Sequence, residues 1–283
     1  MIKLLVIAIG GDIMKNTMLG AIIGDIVGSR FEFDNIKTKN FDLFAPDCEI
    51  TDDSIMTIGV IHALIQWHKI SENNANLFDL PRFVIHSFQE FYQKYPYGGY
   101  GLGFSKWLRS NNPQPYNSYG NGACMRVSPC AYISDNLDTC LKIAEIVTSV
   151  SHNHPIAIEW AKRLVFIIFN LKNKIWSKHD LKMYWESIRT PEENFTLDEI
   201  RNFYKFNETC QGTMPQAIQC VIEAVDFEDA IRNAISIGGD SDTLGAIVGS
   251  MAEPLFEIPE QIVLKAKSYI PDEFLSVIDL FQV

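Results

Sequence analysis

Gly20, Gly24 and Gly28 recur at four-residue spacing along the apolar segment that begins at Leu19. Residues four apart share one face of a helix. The segment therefore predicts a helix over Leu19–Val27 with a ridge free of side chains, where a second backbone can lie close. Each glycine costs a helix interior about 1 kcal/mol relative to alanine, so three on one face imply a packing requirement. Asp25 inside the segment and Asp12 ahead of it rule out a membrane dimer motif.

The remaining pattern is also helical. Ser54–Lys69 puts Ile55, Ile58, Ile61, Leu64 and Ile65 on one stripe. Pro81–Tyr95 opens with a proline near its first turn and stops before Pro96. Helices are expected at 137–150, 156–170, 178–189, 196–205, 215–224, 227–235, 243–251 and 259–268, with a short last one after Pro271. Tyr97–Gly103 and Asn111–Gly122 read as Gly-rich loops. Alternating strand patterns are missing, and no repeat or linker divides the chain, so one all-α domain is expected.

Two acidic clusters carry the chemistry. Thr51-Asp52-Asp53-Ser54 and Gly238-Gly239-Asp240-Ser241-Asp242-Thr243 each precede an apolar helix. Either cluster alone can be read as helix capping, because Thr and Asp are favoured caps and acids favour the first turn. One cap residue is enough, however, and each cluster holds two carboxylates. Hydroxyls and carboxylates are hard oxygen ligands that suit Mg²⁺, Mn²⁺ or Ca²⁺ better than zinc. Four carboxylates in one place also repel without a cation between them.

Other features are weaker. Glu32 is flanked by Phe31 and Phe33; aromatic surroundings can raise a carboxyl pKa, but a solvated loop Glu fits as well. Gly120-Asn121-Gly122 could bring backbone N–H groups to a phosphate, although the lysine of a P-loop is missing. His152 and His154 are two apart, so they do not form a zinc pair on a helical face; one site-facing histidine or a helix cap remain open. No dinucleotide-binding fingerprint or nucleophile-elbow serine is present.

Together these motifs resemble the ADP-ribosylglycohydrolase family. The resemblance runs from Met18 to Pro254 through Leu19–Gly28, Glu32, Thr51-Asp52-Asp53, Gly120-Asn121-Gly122 with Met125-Arg126, Ser151-His152 and Gly239–Thr243. It implies a compact, single-domain orthogonal helical bundle over residues 18–283, preceded by an extension at 1–17. It implies two divalent cations, Mg²⁺ or Mn²⁺, held by Thr51, Asp52, Asp53, Asp240, Asp242 and Thr243. Glu32 falls at the catalytic carboxylate. Ser118, Tyr119, Gly120, Asn121 and Gly122 fall on the loop around the phosphates and distal ribose, and His152 at a contact to ADP-ribose. The implied activity is hydrolysis of the bond between ADP-ribose and an acceptor, either a modified protein side chain or a small conjugate. A metal-dependent phosphohydrolase or pyrophosphatase, and a non-catalytic ADP-ribose binder or toxin-immunity partner, are the alternatives.

Composition sets the setting. The net charge of -11 and the lack of a basic run exclude long-range attraction to nucleic acid or an acidic membrane. The six scattered cysteines read as reduced, mostly buried thiols of a cytoplasmic protein. The apolar run Leu4–Gly11 is too short to span a bilayer. A monomer is expected.

Overall fold

The computed structural model describes residues 18–70 and 76–281. The expected extension at 1–17 lies outside them. Among the described residues there are fourteen α-helices and no strand; one isolated antiparallel bridge joins Gly120 to Thr209.

The glycine ridge determines the centre of the fold. Helix α1 (Gly20–Ser29) packs antiparallel along α12 (Ser241–Ala252), which has glycines of its own at 245 and 249. A Cβ at Gly24 would lie 1.9 Å from the Gly245 carbonyl oxygen, and one at Gly249 would lie 1.9 Å from the Gly20 oxygen. No side chain fits at either contact. Every residue of α12 is buried, as is α1 from Gly20 to Gly28.

Around this pair lie α2 (Asp52–Ile70), α5 (Gly122–Met125), α7 (Pro155–Lys172), α10 (Cys210–Glu223) and α11 (Phe227–Ser236). Helix α3 (Leu80–Lys94) covers α2, and α6 (Leu137–Ser149) covers α7. The expected stripe of α2 is buried, and so are Met56, Val60, Ala63 and Trp67 on its other sides. Helix α2 is therefore a core helix rather than a half-exposed one. Smaller helices complete the bundle: α4 (Leu102–Leu108), α8 (Lys178–Ile188), α9 (Leu197–Ile200), α13 (Glu260–Lys267) and α14 (Asp272–Phe281).

Three expectations about elements change. Helix α4 starts at Leu102, inside the segment read as a loop. Helix α9 is a single turn, closed by a capping box between Thr196 and Glu199, where a helix over 196–205 was expected. The chain then turns so that the Tyr204 hydroxyl donates to the Gly212 carbonyl. Helix α10 starts five residues before Pro215, because Thr209 caps it by accepting from the Gly212 N–H at 3.1 Å. Pro215 is thus inside the helix and deprives the Gln211 carbonyl of its partner.

All six cysteines are buried and none forms a disulfide. No helix among the described residues is long and apolar enough to cross a membrane.

Candidate metal centre and active site

The antiparallel pairing brings the start of α12 beside the end of α1, where Gly28 meets Ser241 and Asp242. The start of α2 meets the same point. Its cap is Asp25, fully buried on α1. Asp25 accepts from the Thr51 and Ser54 backbone N–H groups, both at 3.0 Å, and from the Thr51 hydroxyl at 2.6 Å. A carboxylate from another helix thus satisfies the first turn of α2. Asp240 makes no side-chain cap to α12. Capping therefore leaves the carboxylates of Asp53, Asp240 and Asp242 unexplained.

These acids converge. Asp25, Asp53 and Asp242 each offer an oxygen within 4.8 Å of the others, and so do Glu32, Asp240 and Asp242. Asp242 belongs to both triads. Thr243 donates its hydroxyl to Asp53 at 3.2 Å, which ties the two clusters together across 190 residues. The Gly-Gly pair ahead of Asp240 has φ of +68° at Gly238 and +88° at Gly239, which glycine adopts without strain. Asn35 fixes this turn, accepting from the Gly239 N–H at 2.7 Å and donating to the Gly239 carbonyl at 2.8 Å. The same amide donates to the Phe31 carbonyl at 2.6 Å, so the segment carrying Glu32 is stapled to the one carrying Asp240.

Crowding shows in the acid strengths. Burial, then the negative charges of Asp242 and Asp25, pushes the Glu32 carboxyl up to about 8. Burial raises Asp240 to about 6. Burial, followed by neighbouring carboxylates, holds Asp52, Asp53 and Asp242 well above the usual range. The Asp53 Oδ1 atom is buried without a hydrogen-bond partner. An orphaned carboxylate oxygen among mutually repelling acids, with hydroxyls and no Cys or His in either triad, fits hard divalent cations.

Glu32, Asp52, Asp53, Asp240 and Asp242 line a cavity of about 460 Å³, within the usual range for small-molecule sites. The chain matches the ADP-ribosylglycohydrolase family over residues 11–252. It belongs to that family. The match begins inside the first seventeen residues, ahead of the Met18 boundary read from the sequence. The ADP-ribosylarginine hydrolase Tri1 of Pseudomonas putida (strain GB-1) is 23% identical, over 87% of this chain and 71% of that protein. The ADP-ribosylhydrolase ARH3 of Homo sapiens is 20% identical, over 93% and 91%. A solved structure described as an ADP-ribosylglycohydrolase-related protein complex superimposes with a TM-score of 0.64, covering 94% of this chain and 95% of that one at 19% identity. That likeness is one of fold.

The other residues expected in the glycohydrolase site line the same cavity: Ser118, Tyr119, Gly120, Asn121, Gly122 and His152. The loop is pinned to the start of α10, with the Asn121 N–H donating to the Glu208 carbonyl at 2.8 Å and the Cys210 N–H to the Tyr119 carbonyl at 3.0 Å. The Asn121 amide donates to Asp240 at 2.7 Å and to Thr213 at 3.2 Å, so it orients an acid of the cluster. His152 faces the cavity, whereas His154 caps α7 by accepting from the Ile156 N–H at 3.2 Å. Asp52 lines the cavity but belongs to neither triad, and the Thr51 hydroxyl is engaged with Asp25. Asp25 is the residue that sequence reading passed over. Its signal was present as the one ionisable side chain within Leu19–Val27, set in an otherwise apolar and glycine run.

Proposed function

We propose that this protein hydrolyses the glycosidic bond between ADP-ribose and an acceptor, with Glu32 as general acid/base beside a pair of Mg²⁺ or Mn²⁺ ions. The observation that carries this reading is the pair of carboxylate triads sharing Asp242, at the wall of a cavity that the Ser118–Gly122 loop also lines. Asp53, Asp240 and Asp242 would hold the ions with Thr51, Asp52 and Thr243, while Asp25 fixes the start of α2 from which three of these residues project. Bound divalent cations would supply charge to grip ribose hydroxyls and to lower the pKa of a water.

The chain's own groups divide the remaining work. The loop 118–122 would place the pyrophosphate and distal ribose, leaving the anomeric carbon toward Glu32. Glu32 lies in the triad with Asp240 and Asp242 and is half-buried, so it can exchange a proton with a water or with the leaving group. As the bond breaks, the ribose gains oxocarbenium character, and the surrounding carboxylate oxygens favour positive charge at that position. The names of Tri1 and ARH3 support an ADP-ribosylated protein side chain or a small ADP-ribose conjugate as substrate.

The test is a panel of arginine-linked, serine-linked and small-molecule ADP-ribose conjugates, assayed with Mg²⁺, Mn²⁺ or EDTA. Release of free ADP-ribose that EDTA abolishes is the expected result. Release of AMP would make the protein a pyrophosphatase instead. Tight ADP-ribose binding with no product from any conjugate would make it a non-catalytic binder.

A further inference from the structure

Arg126 follows α5 and is fully buried, yet it belongs to the cavity lining. It is the only Lys or Arg among the described residues lining that cavity. Its guanidinium packs over the rings of both Phe88 and Phe104, 4.8 and 4.6 Å from their centroids. One nitrogen, Nη2, points to the Ser151 hydroxyl at 2.8 Å and to His152 Nδ1 at 3.1 Å. With no exposed surface, Arg126 cannot touch a ligand in the cavity without a rearrangement.

The polarity of these bonds has a single solution. Arginine only donates. Burial lowers its pKa to about 10, which leaves it charged at neutral pH. Ser151 Oγ therefore accepts from Arg126, and its own proton is free to point at His152 Nδ1, 2.9 Å away. Two donors then converge on Nδ1, which must present its lone pair. Burial and the Arg126 charge both disfavour protonation of the ring. Its orientation is held by edge contacts to Tyr116 and Phe104, at 5.5 and 6.0 Å between centroids.

We propose that Arg126 is a positioning residue that fixes His152 as a neutral imidazole with its proton on Nε2, presented to the ligand. Nε2 lies over the Gly120-Asn121-Gly122 turn; a Cβ at Gly122 or Gly120 would stand 3.4 or 3.6 Å from it. The two absent side chains keep that edge of the ring open toward the cavity. The fixed tautomer offers a hydrogen-bond donor to an oxygen of the ligand. The other tautomer would offer a lone pair, which repels the acceptor-only oxygens of a phosphate. The identity of the ligand as ADP-ribose rests on the function proposed above; the tautomer does not.

Long-range ¹H–¹⁵N spectra of the full-length, Mg²⁺-loaded protein at pH 7.5 test the proposal, with the His152 signals identified by their loss in His152→Gln. The expected wild-type pattern is one protonated Nε2 and one unprotonated Nδ1. Arg126→Met should give a mixture of tautomers and bind ADP-ribose roughly tenfold or more weakly by calorimetry, as expected for a lost hydrogen bond to a charged group. Ser151→Ala should retain the Nε2–H form, because Arg126 still donates. A wild-type ring protonated on Nδ1, or on both nitrogens, overturns the proposal even if Arg126→Met does not fold. An unchanged tautomer in a folded Arg126→Met does the same. Wild-type protein with the Nε2–H ring but no affinity for ADP-ribose would support the positioning role and refute the ligand assignment.

Discussion

Replacing Gly24 with alanine tests whether the backbone contact at the centre of the bundle is what the glycines are for. In an unpacked helix the change would stabilise by about 1 kcal/mol, because alanine is the better helix former. Here the new Cβ would sit 1.9 Å from the Gly245 carbonyl oxygen and 2.2 Å from its carbon. Even a close carbon–oxygen contact needs about 3.3 Å. The two helices would therefore have to separate by about 1.4 Å. Both are buried along their length, so neighbouring helices oppose that movement. Over-packing of this kind costs about 1–3 kcal/mol and sometimes more, and at backbone against backbone the upper end applies. For a chain of this size, about 3 kcal/mol lowers the melting temperature by roughly 6–12 °C. Circular dichroism melts provide the assay. Gly101→Ala is the control, since its Cβ would meet nothing within 4 Å and should change stability by less than about 0.5 kcal/mol. Gly24 precedes Asp25, and Gly245 lies one turn from Asp242, so the same variant should bind Mn²⁺ more weakly. A Gly24→Ala protein that melts at or above the wild-type temperature would refute the close-packing argument.

Further expectations concern the acids. Glu32→Gln should keep ADP-ribose binding within a few-fold while lowering turnover by ~10²–10⁴-fold, the usual range for a positioned proton-transfer group; unchanged turnover removes Glu32 from the chemistry. Because Asp242 belongs to both triads and Asp240 to one, Asp242→Asn should abolish Mn²⁺ binding in calorimetry, and Asp240→Asn should leave one site occupied. Equal loss of both sites in the two variants would contradict the shared-ligand geometry. In EDTA-treated protein, Glu32 near 8 and Asp240 near 6 hold protons that the unfolded chain has released. Between about pH 4 and 8 the folded state binds more protons, so metal-free stability should fall as pH rises. Added Mn²⁺, which competes with those protons, should therefore raise the melting temperature more at pH 8 than at pH 5.5. A metal-free protein that gains stability across that interval would show that the carboxylates are not crowded as described.

What could be read from the sequence follows the range of the interaction that sets each feature. The helices with clear apolar periodicity start and end within a few residues of expectation, because periodicity and caps are local. The two acid clusters were visible because each crowds more carboxylates into a helix start than capping can use. The failures have long-range causes. Thr209 caps α10 where the start was expected at Pro215, since the cap also serves the bridge that ties residue 120 to residue 209. For Glu32 the sequence left a raised pKa and a solvated loop carboxylate equally open, because the burial and the charges of Asp242 and Asp25 that raise it come from across the fold.

Asp25 shows why the remaining part of the site was hidden. In sequence it is an interruption of an apolar helix. In space it is the cap of α2, accepting from the Thr51 and Ser54 N–H groups, while the start of α12 lies against Gly28 at the end of α1. The buried acid and the buried helix start depend on each other: without the first turn of α2, Asp25 would be an unpaired acid in the core, and without Asp25 that turn would lose its acceptor. Asp25→Asn, which keeps the shape but gives up one acceptor oxygen, should therefore destabilise the protein and weaken Mn²⁺ binding together. Loss of metal affinity with wild-type stability would mean that Asp25 is a ligand rather than a cap.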